Sequence, residues 1–77
     1  MKIEILTPDT QIYAGEASLV QLPGLDGLFE ILENHAPMIA ALTKGKAKVE
    51  NNGEIQFFDI TGGVAEVQQN KIIVLAL

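Results

Sequence analysis

Cysteine, arginine and tryptophan are all missing from this chain of 77 residues. The lack of cysteine excludes disulfide frameworks, thiolate metal sites and cysteine nucleophiles together. It leaves the compartment open, because a cysteine-free chain suits any of them. The lack of arginine removes the side chain best fitted to bidentate phosphate recognition and to stacking on bases. Aromatic residues are scarce as well, three Phe and one Tyr, so neither nucleic acid nor nucleotide is an expected partner. Long hydrophobic runs are also absent. The longest, the six residues IIVLAL at 72–77, falls far short of the ~20 residues that span a bilayer. The opening MKIEIL carries no apolar signal core, and the expectation from this end of the chain is a soluble protein kept in the cytosol.

Acidic residues are what the chain has in excess. Ten Asp and Glu stand against five Lys, for a formal net charge of -5. An anionic membrane surface would repel such a chain, so no direct lipid insertion is expected. A large partner is then a protein. Hydrophobic residues make up 48%, which is a globular composition. The length allows one domain with one small core, burying only about 60% of the surface of the unfolded chain.

Proline and glycine punctuate the chain at short, even intervals. KIEILT alternates and meets Pro8. DTQIYAG closes at Gly15, and EASLVQLP is stopped by Pro23-Gly24. GLDG is a turn whose glycines, Gly24 and Gly27, can take positive φ at little cost. LFEIL alternates around Glu30, and MIAALT follows the break at Ala36-Pro37. GKAKVEN sets Lys46 and Lys48 on one face and Ala47 and Val49 on the other. Asn52-Gly53 is the strongest hairpin signal, leading into EIQFFDI. Gly62-Gly63 then precedes VAEVQ, and Gln69-Asn70 turns the chain into KIIVLAL. The one helix candidate, EILENHAPMIAAL, holds Pro37, which costs a helix interior ~3 kcal/mol. The pattern predicts an all-β chain, a small two-sheet β-sandwich of about eight to ten short strands in a single domain over residues 1–77.

Few residues here can do chemistry. A Ser-His-Asp arrangement needs Ser18, the only serine, beside His35, the only histidine, and Ser18 lies mid-strand without a strained elbow around it. GLDG lacks the lysine and the following helix of a phosphate loop. One histidine and no cysteine leave a metal site to carboxylates alone, with no calcium-loop spacing among them. A carrier domain needs a modified lysine in a Met-Lys-Met or Asp-Lys-Ala setting, and neither Lys44 nor Lys71 has those neighbours. No catalytic, cofactor or metal site is expected. His35 reads as a ring bonding a backbone carbonyl near Pro37, GGVAEV as a structural close approach of strands, and KGKAKV as a solvated face.

Across the whole chain the order of residues resembles the ε chain of F-type ATP synthases. Thr7-Pro8, Tyr13, Gly15, Ala17, Val20, Pro23-Gly24, Gly27, Phe29, Ile31-Leu32, Asn34-His35-Ala36-Pro37, Leu42, Gly45 and Gly62-Gly63-x-x-Glu66-Val67 follow the family's sequence and spacing. None of these is specific singly; the ordered set is. Glu30 departs from the family, which usually has glycine after the aromatic residue. Family members commonly continue into two C-terminal helices. The resemblance covers the amino-terminal sandwich, so functions assigned to the helices do not carry over.

The resemblance implies a non-catalytic rotor part in the central stalk, holding the γ subunit with one side and resting loops on the c-ring. It further implies a peripheral place on the cytoplasmic face of a bacterial inner membrane. Asp26, Leu28, Glu30, Glu33, Asn34 and His35 become the expected partner-binding residues, with apolar Leu28 as an anchor. An acidic, arginine-free surface suits a ring with basic polar loops, as the family's rings tend to have. The alternative is a β-sandwich adaptor for an unrelated protein.

Overall fold

A strand with one wet face shows a period of two, and most segments of this chain are built on it. In the computed structural model, which covers residues 1–77, that period gives nine strands and no helix. They are β1 (Lys2–Leu6), β2 (Gln11–Glu16), β3 (Leu19–Gly24), β4 (Gly27–Leu32), β5 (Met38–Leu42), β6 (Gly45–Asn51), β7 (Glu54–Ile60), β8 (Gly63–Gln68) and β9 (Lys71–Ala76). Ile3 and Ile5 of β1, Ala47 and Val49 of β6, Ala65 and Val67 of β8, and Ile72 and Val74 of β9 turn inward. Lys46 and Lys48 take the other face of β6, as the alternation requires.

Two layers result, as expected. One runs β2-β1-β9-β8-β5 and the other β4-β3-β6-β7, with β1 and β9 paired in parallel. The layers are continuous through one corner, where Gly24 of β3 pairs with Leu42 of β5. Around it Leu25 N–H donates to the Ala41 carbonyl at 3.2 Å, and Thr43 N–H donates to the Pro23 carbonyl at 2.9 Å. Sixteen buried apolar residues fill the space between the layers, and no polar or charged side chain is buried with them.

That corner corrects one boundary. Pro23-Gly24 does not stop the third strand; β3 runs through both residues. Proline lacks an N–H, so it breaks a ladder only where that N–H would be used. β3 pairs with β6 up to Gln21 and with β5 at Gly24, so Pro23 sits at the change of partner. Gly24 is needed for space and not for positive φ, because a Cβ there would stand 3.0 Å from the Phe29 ring. Gly27, across the hairpin, does take positive φ at 121°. Asn52 (φ 51°) and Gly53 (φ 83°) form the expected tight turn, both in the left-handed region that a two-residue hairpin loop demands.

β2 and β7 end the two layers on the opposite side and do not pair. The rings of Tyr13 and Phe58 close that gap, with centroids 4.8 Å apart. Such a pair contributes ~0.5–1.5 kcal/mol beyond its buried area. Phe58→Leu is therefore expected to lower unfolding free energy by about 1 kcal/mol in urea titration. An unchanged midpoint would mean that the ring pair does not hold this side shut.

Candidate functional site

β4 is an edge strand, paired only with β3, and its alternation sorts its side chains. Phe29 and Ile31 turn toward the core, while Leu28, Glu30 and Leu32 face solvent. Asp26 sits at the tip of the β3–β4 hairpin, and Glu33, Asn34 and His35 follow β4 directly. The six expected partner-binding residues thus lie along one edge and its two flanking loops. They do not converge on a single loop. Six residues of strand put roughly 17 Å between the hairpin tip and the His35 loop.

The two ends differ in chemistry. At the hairpin tip Leu25 and Leu28 are 67% and 66% exposed, and they border a groove of about 430 Å³ lined by residues 24–29 and Met38 to Ala41. Ile39, 73% exposed, forms its far wall. Leu25, Leu28 and Ile39 thus leave the walls of the groove apolar and open to water. The chain is not loosely folded, since its accessible surface of 4605 Å² matches the ~4,600 Å² expected for a folded protein of this mass.

At the other end polar groups are tied up within the chain. The amino-terminal ammonium of Met1 pairs with the Glu33 carboxylate and donates to the Ala17 carbonyl at 3.0 Å. Asn34 takes φ 60°, and its N–H donates to Asn70 Oδ1 at 2.8 Å. His35 N–H donates to the Leu32 carbonyl at 3.2 Å, and its ring Nδ1 lies 2.7 Å from the Ala36 carbonyl. A carbonyl only accepts, so Nδ1 carries the proton and the Nε2 edge is left to face outward. The ring does bond a carbonyl beside Pro37, as the sequence suggested. Ser18 Oγ donates to the Glu50 carbonyl at 3.0 Å, so neither side chain is turned on the other. In mid-strand Gln21 Nε2 donates to Glu30 Oε2 at 3.2 Å.

Sequence reasoning missed the outer face of the first layer. Ala41, Val64, Leu75 and Leu6 are successive cross-strand partners on β5, β8, β9 and β1, and Val64 and Leu75 are exposed. Ile39 lies next to this row. On β5 the signal was hidden because MIAAL is apolar throughout, whereas on β1 and β8 the alternation with Lys2, Glu4, Glu66 and Gln68 already puts Leu6 and Val64 on the outer face. Beyond the row, Lys71 Nζ stands 2.9 Å from Glu4 Oε1. Its hydrogen bond first, and its charge second, hold the Glu4 carboxyl below the usual carboxylate range. A carboxyl with a lowered folded-state pKa adds stability that is present above the unfolded value and is lost as pH falls through the folded one. Glu4→Gln is expected to lower the melting temperature slightly at neutral pH and to leave it unchanged in strong acid. Equal melting of the two proteins at every pH would remove the pair from the stability of the fold.

Comparisons with known proteins agree with the fold. The sequence pattern of the family described as ATP synthase, delta/epsilon chain, β-sandwich domain, matches residues 1–77. The ATP synthase epsilon chain of Chlorobium limicola is 44% identical over 75 residues, covering 96% of this chain and 85% of that relative. Among solved structures, a chain of the Euglena gracilis mitochondrial ATP synthase (OSCP/F1/c-ring, rotational state 1) superposes with a TM-score of 0.89 at 19% identity, covering 96% of this chain and 48% of that one. A chain from the central stalk and c-ring of the Tetrahymena thermophila mitochondrial enzyme gives 0.83 at 17%, covering 99% of this chain and 62% of that one. At those identities the two structures speak for the fold, and the chain spans roughly half to three-fifths of each.

Proposed function

The chain belongs to the ATP synthase delta/epsilon chain family, of which it forms the β-sandwich domain; from that premise we propose a non-catalytic central-stalk subunit of a rotary ATP synthase, linking the γ subunit to the c-ring and keeping ion flow coupled to ATP synthesis. The observation that carries the reading is the family match over all 77 residues together with the exposed apolar hairpin tip at Leu25 and Leu28. The tip, with Asp26 and Leu28, is assigned to the c-ring. Glu33, Asn34 and the outward edge of His35 are assigned to γ, with Glu30 between the two contacts. Separate partners suit a pair of sites held a strand length apart.

A stiff body suits the role. Torque passing from ring to stalk loads the sandwich in shear, and a close-packed apolar core deforms little. The side chains of this chain then do no chemistry of their own: they bind and hold position. The place that follows is peripheral, on the cytoplasmic face of a bacterial inner membrane, reached through the ring and not through lipid. An adaptor for an unrelated partner is not favoured, since the family match leaves no part of the chain unaccounted for.

Reconstitution of the ATP synthase with and without this chain tests the reading. Ion pumping driven by ATP is expected to fall when the chain is omitted, and γ is expected to co-purify with it. Full pumping without the chain, or no complex with γ at any salt concentration, would count against the proposal.

A further inference from the structure

The two sides along which the layers meet are closed differently. Between β2 and β7 the Tyr13 and Phe58 rings fill the gap. Between β4 and β5 no aromatic pair bridges the layers; Phe29 and Met38 pack against the core there, and the groove of about 430 Å³ opens beside them. We propose that this groove takes up an extended, lysine- or arginine-bearing segment of a partner protein as an added β-strand on the free edge of β5.

Main-chain geometry makes the first argument. In a strand, the N–H and C=O of alternate residues point to the same side. The Ala41 carbonyl points away from β8, because it accepts from Leu25 N–H. The N–H and C=O of Ile39 therefore point the same way, into the groove. On that side β5 pairs only at Leu42, with Gly24. Unpaired strand edges select an extended segment, which alone can match their donor and acceptor spacing. A docked helix has its own backbone groups already paired.

Side chains make the second argument. Leu28, Phe29, Met38 and Ile39 line the groove, giving apolar pockets for alternate residues of the incoming strand. Three acidic groups lie in or beside it, and the nearest lysine along β5, Lys44, lies beyond the lining in the turn after Leu42. Asp26 is in the lining, Glu30 lies on the outer face of β4, and Glu66 is the cross-strand partner of Ile39. No lysine lines the groove. Lysine or arginine flanking the apolar positions of the partner segment satisfies this rim, and an acidic segment or an anionic lipid is repelled by it. The inference rests on the proposed assembly with stalk and ring, which supplies the segment.

Backbone hydrogen exchange on the chain, alone and in the assembled ATP synthase, tests it. The Ile39 amide is expected to slow by about tenfold or more on assembly, while the amides of β2 do not change. If the complex forms and the Ile39 amide exchanges as in the free chain, the added strand is ruled out and the docking function stands. If no complex forms, both fall. Ile39→Pro removes the N–H on the open edge, which the isolated fold does not use, and is expected to weaken assembly roughly tenfold with unchanged melting. Ile39→Val is expected to assemble normally. Wild-type assembly by a folded Ile39→Pro chain would overturn the proposal.

Discussion

Gly63→Ala is expected to lower the melting temperature by ~12–24 °C, a loss of about 3 kcal/mol in a domain of this size. Gly63 opens β8 with φ at 142°, a backbone conformation that side chains with a Cβ rarely adopt. It is also crowded. A Cβ built there would stand 2.1 Å from the Leu75 carbonyl oxygen and 3.0 Å from the Cα of Ala76. Both obstacles are backbone of the neighbouring strand, and neither can rotate aside. Accommodating a methyl means parting β8 from β9, and β9 carries Ile72 and Val74 in the centre of the core. Gly53→Ala is the control. Its φ is 83°, but nothing lies within 4 Å of the added carbon, so only the left-handed strain remains, about 1 kcal/mol. Thermal unfolding of the two variants separates the causes. Equal losses would mean that the close approach of β8 and β9 costs nothing.

Leu28→Glu is expected to weaken assembly with the stalk and ring by roughly 10- to 100-fold while leaving the isolated domain as stable as before. At 66% exposure the side chain contributes little to the fold. Burying a leucine in a partner contributes ~1.5–3 kcal/mol, and each 1.4 kcal/mol is about tenfold in affinity. The substitution also adds a carboxylate beside Asp26, and desolvating it at the contact is unfavourable. Leu28→Ala removes the apolar contact without the charge and is expected to fall between the two. Titration of the chain against the purified ring, with melting of the free chain as the control, reads both effects. Unaltered affinity in Leu28→Glu would move the contact away from the hairpin tip.

Titration of His35→Gln against γ and, separately, against the ring asks a different question. The His35 ring is held by the Ala36 carbonyl, so this loop is shaped from within before any partner arrives. A loss of γ binding with normal ring binding would support separate contacts at the two ends of β4. Loss of ring binding from both Leu28 and His35 variants would instead put the whole β4 edge on one partner.

By itself the sequence determined the all-β class, the turns at Asn52-Gly53 and Gln69-Asn70 and the family, while the need for glycine at Gly63 came from the approach of β9. The class and the turns follow from local rules, a period of two, prolines that exclude helix and turn residues that take positive φ, and the family from the order of residues along the whole chain. The tertiary structure decided the rest. It carried β3 through Pro23, because a proline is harmless where the partner strand changes from β6 to β5. It turned Ile39 and Leu75 outward, which the apolar runs MIAAL and IIVLAL do not reveal. It placed Asp26 and Leu28 a strand length from Glu33 and His35, although a few residues of chain separate them. It also left β5 with an unpaired edge beside an acidic rim. Pairing between strands distant in sequence, and the gap that remains where pairing stops, depend on how two twisted layers meet, and no local pattern of residues records that.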